Sequence, residues 1–158
     1  MKKISCLAIF GLFLLVSCTK HLPILPKPPV EPLTKKEMLI KYGWKVDELW
    51  HNEGEVNTHY HRGVENTTNV PYDVLRFKFN ADGTGTHINQ FGQTLPYTWE
   101  FATEDMRNIK FVLNGYTQYN WSLVEITEAA ITWTVPMEFD GNQMLESARM
   151  VPDTTLVK

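Results

Sequence analysis

From residue 73 onward the chain alternates apolar and polar positions with a two-residue period, the pattern of strands that bury one face. In segment 73–80, Leu75, Phe77 and Phe79 share one side while Arg76 and Lys78 take the other. Tyr97, Trp99 and Phe101 repeat the pattern against Thr98, Glu100 and Ala102. Ile109, Phe111 and Leu113 follow, then Tyr119, Trp121 and Leu123, then Ile131, Trp133, Val135, Met137 and Phe139. Asp82-Gly83, Asn114-Gly115 and Asp140-Gly141 lie between stripes. Such pairs accept positive φ and mark tight hairpins. Strands are predicted near 44–52, 73–80, 84–90, 95–103, 108–113, 117–126, 130–139 and 142–151, with a ninth near 56–62. No strong amphipathic helix separates them, so parallel crossovers are excluded.

Just before the first strand the period becomes helical. Thr34-Lys35-Lys36-Glu37 is a capping box, Met38, Leu39 and Tyr42 form an apolar side, and Gly43 ends the helix. About two turns are too few to stand alone, so this helix has to pack on something else. The fold class that follows is all-β: an antiparallel up-and-down β-barrel of about eight strands, preceded by a short helix. Closure into a barrel abolishes exposed edges. A two-sheet β-sandwich is the alternative.

The segment before residue 34 is built differently. Lys2 and Lys3 precede a short apolar run, Ile4 to Val16, which ends in Leu15-Val16-Ser17-Cys18. The run is shorter than the roughly 20 residues a spanning helix needs and reads as a secretory signal. Its end resembles the lipobox of bacterial lipoproteins. That resemblance implies cleavage before Cys18 and acylation of Cys18, which anchors residue 18 in a membrane. Thr19 to Leu33 holds five of the nine prolines. Proline at this density favours an extended tether of roughly 45 Å. The expected organisation is therefore a signal peptide at 1–17, lipidated Cys18 and tether at 18–33, a barrel domain at 34–151, and a flexible tail at 152–158.

Composition narrows the classes. The 158 residues are 43% hydrophobic, too apolar for a disordered chain, and a net charge of −3 gives no reason to expect nucleic acid. Of the two cysteines, Cys6 leaves with the signal and Cys18 is lipidated, so no disulfide is expected and packing holds the core.

Several motifs in order resemble the lipocalin-like domains of small Bacteroidetes lipoproteins. Gly43-Trp44 opens the first strand, and Phe79-Asn80-Ala81-Asp82-Gly83-Thr84 forms a hairpin. Tyr97-Thr98-Trp99 and Trp121-Ser122-Leu123 follow. The likeness spans about 35–151. It implies a barrel that binds small molecules, and a structural pair in which Arg149 of the last strand covers the Trp44 ring as a cation–π contact. For the address, Thr19 is not the Asp that retains enterobacterial lipoproteins at the inner membrane. No acidic run of the surface-export type follows Cys18. By those resemblances the expected location is the bacterial outer membrane, facing the periplasm. Asp153-Thr154-Thr155 resembles a Bacteroidetes O-glycosylation acceptor and is expected on the free tail.

Candidate chemistry is sparse. His51, His59 and His61 with Glu53 and Glu55 are a donor set that zinc could take, but the polar stretch 52–69 reads as a long solvated loop. No metal or other cofactor is expected. No nucleophile elbow, phosphate-cradling loop or His-Glu-x-x-His is present, and no enzymatic activity is expected. Glu100, Glu125, Glu138 and Glu146 are expected to face solvent. The inward stripe of Phe77, Phe79, Tyr97, Trp99, Phe101, Phe111, Tyr119, Trp121 and Trp133 is the candidate binding surface. An eight-stranded barrel is either filled by such side chains or holds one small ligand. The two expected functions are a binder of a small apolar or amphipathic molecule, and a non-catalytic module contacting an envelope protein whose identity the chain does not give. Cys18→Ser is expected to abolish fatty-acid labelling and move the protein from the membrane to the soluble fraction. Retention of label by that variant would refute lipidation at Cys18.

Overall fold

The computed structural model describes residues 31–156 except Glu55, Tyr116, Asp140 and Gly141, and the side chains of Glu53, Thr117, 137–139, Asn142 and Leu156 are not described either. The signal, Cys18 and all but the end of the tether therefore lie outside the described residues. The order is α1 (Lys35–Lys41), β1 (Gly43–Glu53), β2 (Val56–His61), β3 (Glu65–Asn66), a 3-10 turn (Tyr72–Val74), β4 (Arg76–Phe79), β5 (Thr84–Ile88), β6 (Thr94–Phe101), β7 (Ile109–Leu113), β8 (Thr117–Ile126), β9 (Ile131–Phe139) and β10 (Asn142–Asp153). A last 3-10 turn covers Thr154–Leu156.

Strands β4 to β10 pair in sequence order, all antiparallel, and β1 pairs with both β4 and β10. Eight strands thus close into a barrel, and the sandwich alternative falls. One edge of β1 follows β10 from Gly43↔Asp153 to Glu53↔Met144. Its other edge is shared. Residues 43–45 pair with β4, and 48–53 pair with β2. Between these stretches two carbonyls lack a strand partner. Arg62 supplies both donors: its Nε reaches the Val46 carbonyl at 2.6 Å and its backbone N–H reaches that of Asp47 at 2.8 Å. Its Nη1 donates to the Asp73 carbonyl at 2.8 Å, tying down the chain on its way back to β4. The stretch expected to be a long loop is therefore largely the β1–β2 hairpin with β3 added.

The helix closes one end of the barrel. Its capping box forms as the sequence implies, with Thr34 Oγ1 accepting from the Glu37 amide and Glu37 accepting from the Thr34 amide. Leu39 is fully buried. Trp44, also fully buried, donates from Nε1 to the Leu39 carbonyl at 2.8 Å and meets the Tyr42 ring edge-on. Lys78 Nζ donates to the Ile40 carbonyl, and Lys36 lies over the Trp99 ring.

Three expectations are corrected. Arg149 does not cover Trp44. On β10 the buried apolar positions are Ala148 and Met150, so Arg149 between them points outward, where it pairs with Asp47 at the β1 bulge. Leu123 does not join the inward stripe. A bulge between Ser122 and Glu125 puts Leu123 at φ +52, 58% exposed, and turns Val124 into the core instead. The expected tail from 152 is partly strand, because β10 runs through Asp153, whose side chain is 1% exposed. The motif expected to be free thus begins at a buried residue, with Thr154 exposed beside it.

Asp153 lies on β10 and Arg76 on β4, on either side of β1, and Gly43 between them has no side chain to intrude. Arg76 Nε stands 2.5 Å from Asp153 Oδ2. Burial works against this carboxylate, but donors from the Thr155 hydroxyl and amide and the Arg76 charge outweigh it and hold the pKa below the usual value. The carboxylate therefore stabilises the fold above the ordinary carboxylate range, and that contribution is lost as pH falls through the lowered value. Asp153→Asn is expected to lower stability at pH 7 by about 3 kcal/mol and to flatten the fall in Tm between pH 5 and 2, read by thermal melts. At Gly85 a Cβ would collide with the Tyr97 ring and stand 2.6 Å from the Lys78 carbonyl. That ring is pinned, since its hydroxyl donates to the same carbonyl at 2.9 Å. Gly85→Ala is expected to cost about 2–3 kcal/mol in denaturant unfolding.

Candidate functional site

The two halves of the barrel interior differ. In the half nearest α1, Phe79 is fully buried and meets Tyr97, Trp99, Phe111 and Trp121 at ring-centroid distances of 5.4–6.2 Å. Ile109, Val124, Ile131 and Met150 complete a packed core there. Above it lies a cavity of about 290 Å³. Every barrel strand contributes to its wall: Val46 and Leu49 from β1, Phe77 from β4, His87 from β5, Tyr97 from β6, Phe111 and Leu113 from β7, Tyr119 and Trp121 from β8, Trp133 from β9 and Glu146 from β10. Tyr72, Leu75 and Gln90 add the connecting segments, and Tyr119, 49% exposed, stands at the mouth. The mouth faces away from α1, because the 80–83, 102–108 and 127–130 turns lie at the helix end and the 89–93 turn at the other.

Six of the nine inward aromatics expected from the sequence line this space: Phe77, Tyr97, Phe111, Tyr119, Trp121 and Trp133. Phe79, Trp99 and Phe101 belong to the closed half instead, so the barrel is both self-filled and hollow. The wall is fixed by its own packing. Trp121 and Trp133 stack in parallel at 4.8 Å, and Phe77 stacks on His87 at 4.6 Å. Burial lowers the His87 pKa, and its Nε2 is buried with no partner, which keeps the imidazole neutral near pH 7. Trp133 Nε1 is likewise buried and unpaired. Burial pushes the Tyr97 phenol far up.

Glu146 corrects the expectation of a solvated outer face. It shares the inward parity of Ala148 and Met150, its side chain is 19% exposed, and it lines the cavity. Glu100 and Glu125 are exposed as expected, with partners in Lys110 and Arg107, while the Glu138 side chain is not described. Glu146 Oε2 lies 2.8 Å from His51 Nε2, which the Tyr72 hydroxyl also meets at 3.2 Å. Burial, and then the Glu146 charge, raises the Tyr72 pKa to about 12.

The histidines weighed as metal ligands are dispersed among separate carboxylates. His59 Nδ1 pairs with Glu65 at 2.5 Å and its ring stacks on Trp50, His61 Nε2 lies 3.6 Å from Glu48, and His51 faces Glu146. Among the described residues no group of three or more His, Cys, Asp or Glu is placed to hold a metal ion. Glu55 lies outside the described residues. Sequence reasoning missed Val46, Leu49, Tyr72, His87, Gln90 and Glu146. The i, i+2, i+4 run Glu146-x-Ala148-x-Met150 carried the signal for Glu146. The bulge between Val46 and Glu48 breaks the alternation that would have shown Val46 and Leu49 together.

No protein-family model matches the chain, and no curated protein matches it.

Proposed function

We propose that the protein is a lipid-anchored envelope lipoprotein that holds a small apolar or amphipathic molecule in its barrel. The observation that carries this reading is the cavity of about 290 Å³, walled by all eight strands above a packed floor. Its size is near the lower end for small-molecule sites, and its wall is mostly apolar and aromatic, as such sites are. The lipobox-like Leu15-Val16-Ser17-Cys18 and the Pro-rich tether support the anchored part. The likeness to lipocalin-like lipoproteins agrees with an envelope location at the outer membrane, facing the periplasm.

A second reading, contact with an envelope protein, is favoured by a separate observation. Val56 at the start of β2, Val64 on the β2–β3 turn and Phe91 on the 89–93 turn are 61–77% exposed. Connecting segments carry binding residues disproportionately often.

Native mass spectrometry of the protein extracted from its own membrane is expected to show a retained small molecule beyond the lipidated polypeptide. Leu113→Trp fills cavity space with an added ring and is expected to remove that extra mass while keeping the fold by circular dichroism. Bare polypeptide from the native source, together with an unchanged signal from an added naphthalene dye in Leu113→Trp, would overturn the cavity as a binding site.

A further inference from the structure

The charge pattern of the cavity names a class of ligand. Seven of its fourteen lining residues are Phe, Tyr or Trp, so the wall is mostly apolar. Among the described residues no Lys or Arg lines it, and Glu146 is the one carboxylate on the wall. This asymmetry follows from strand parity. Arg76, Lys78, Lys110 and Arg149 alternate with lining residues and therefore point outward. There they are engaged by Asp153, the Ile40 carbonyl, Glu100 and Asp47 respectively. Arg62 is spent on the carbonyls at the β1 fork. His87, the one imidazole on the wall, is buried against Phe77 and has no acid beside it to hold a proton.

We infer that the cavity selects organic cations with an apolar body, an amine or quaternary ammonium joined to a ring or short chain, over carboxylates of the same shape. Glu146 supplies the counter-charge at the wall, and the aromatic and aliphatic side chains around it take the apolar body. A carboxylate in the same place meets apolar rings and Glu146, with no Lys or Arg among the described lining residues. His51 is the partner that competes for Glu146, 2.8 Å away. This inference rests on the reading of the cavity as a ligand site.

The test uses three probes with one body: 4-phenylbutylamine, 4-phenylbutan-1-ol and 4-phenylbutyrate, titrated calorimetrically into the full-length protein at pH 8. The amine is expected to bind about tenfold more tightly than the alcohol, and the butyrate more weakly than either. Glu146→Gln is expected to reduce the amine to the level of the alcohol while leaving the alcohol unchanged. Glu100→Gln, on the outer face, is expected to leave all three unchanged. If the alcohol binds but the amine binds no better, the charge selection falls and the cavity reading stands. Butyrate binding as tightly as the amine, or an equal loss in Glu100→Gln, would also overturn the selection. If none of the three binds, the cavity reading falls and the selection with it.

Discussion

The pairing of β1 with β10 is the constraint on which the molecule depends. It joins the first and last strands of the barrel over the whole length of β1 and leaves the barrel without an open edge. Because β10 occupies one edge completely, β1 has to divide its other edge between β4 and β2. That division creates the two orphaned carbonyls, and unpaired buried carbonyls are costly enough that a donor has to be present. Arg62 meets this need from the hairpin that the division itself creates. The β1 bulge lies at the same point, and it sets which side chains of β1 reach the cavity.

The interior then divides by the size and position of its rings. Near α1, Phe79 and its neighbours fill the section completely, helped by Leu39 and Trp44 from the entering chain. Toward the mouth, the rings lie along the walls and stack on one another. Trp121 on Trp133 and Phe77 on His87 satisfy their faces laterally, so the middle remains hollow. The lower half therefore acts as a rigid base for the upper half. Gly85 belongs to this arrangement: its missing side chain is the space that lets Tyr97 lie flat against β5 and reach the Lys78 carbonyl.

Much of the barrel was legible from the alternation of residues after 73. The strands around Phe77, Trp99, Phe111, Trp121 and Trp133 lie within a few residues of where periodicity puts them, and the capping box at Thr34 forms as written. What escaped was local breakage of the period. The bulges at Val46–Glu48 and Ser122–Glu125 each shift parity by one, which hid Leu49 and misassigned Leu123. In the 52–69 stretch the strand expected near 56–62 forms as β2, but its polar surroundings hid the hairpin with β1, whose one buried anchor on β2 is Tyr60. Glu146 was misread because charge outweighed parity, and the Trp44–Arg149 contact because neighbouring strands do not imply a shared face. The cavity itself was open in the sequence, since the same ring list describes a filled barrel and a hollow one.

Closure by the terminal strands also has a kinetic side. Asp47 and Arg149, which meet across the seam, are 102 residues apart in the chain. Contacts of such long range form late, since the intervening chain has to be ordered before they are rewarded. Until β10 has emerged and docked, β1 carries an open hydrogen-bonding edge, and so does β9. A chain halted before residue 142 would keep both edges exposed and would be prone to pair with a second unfinished copy.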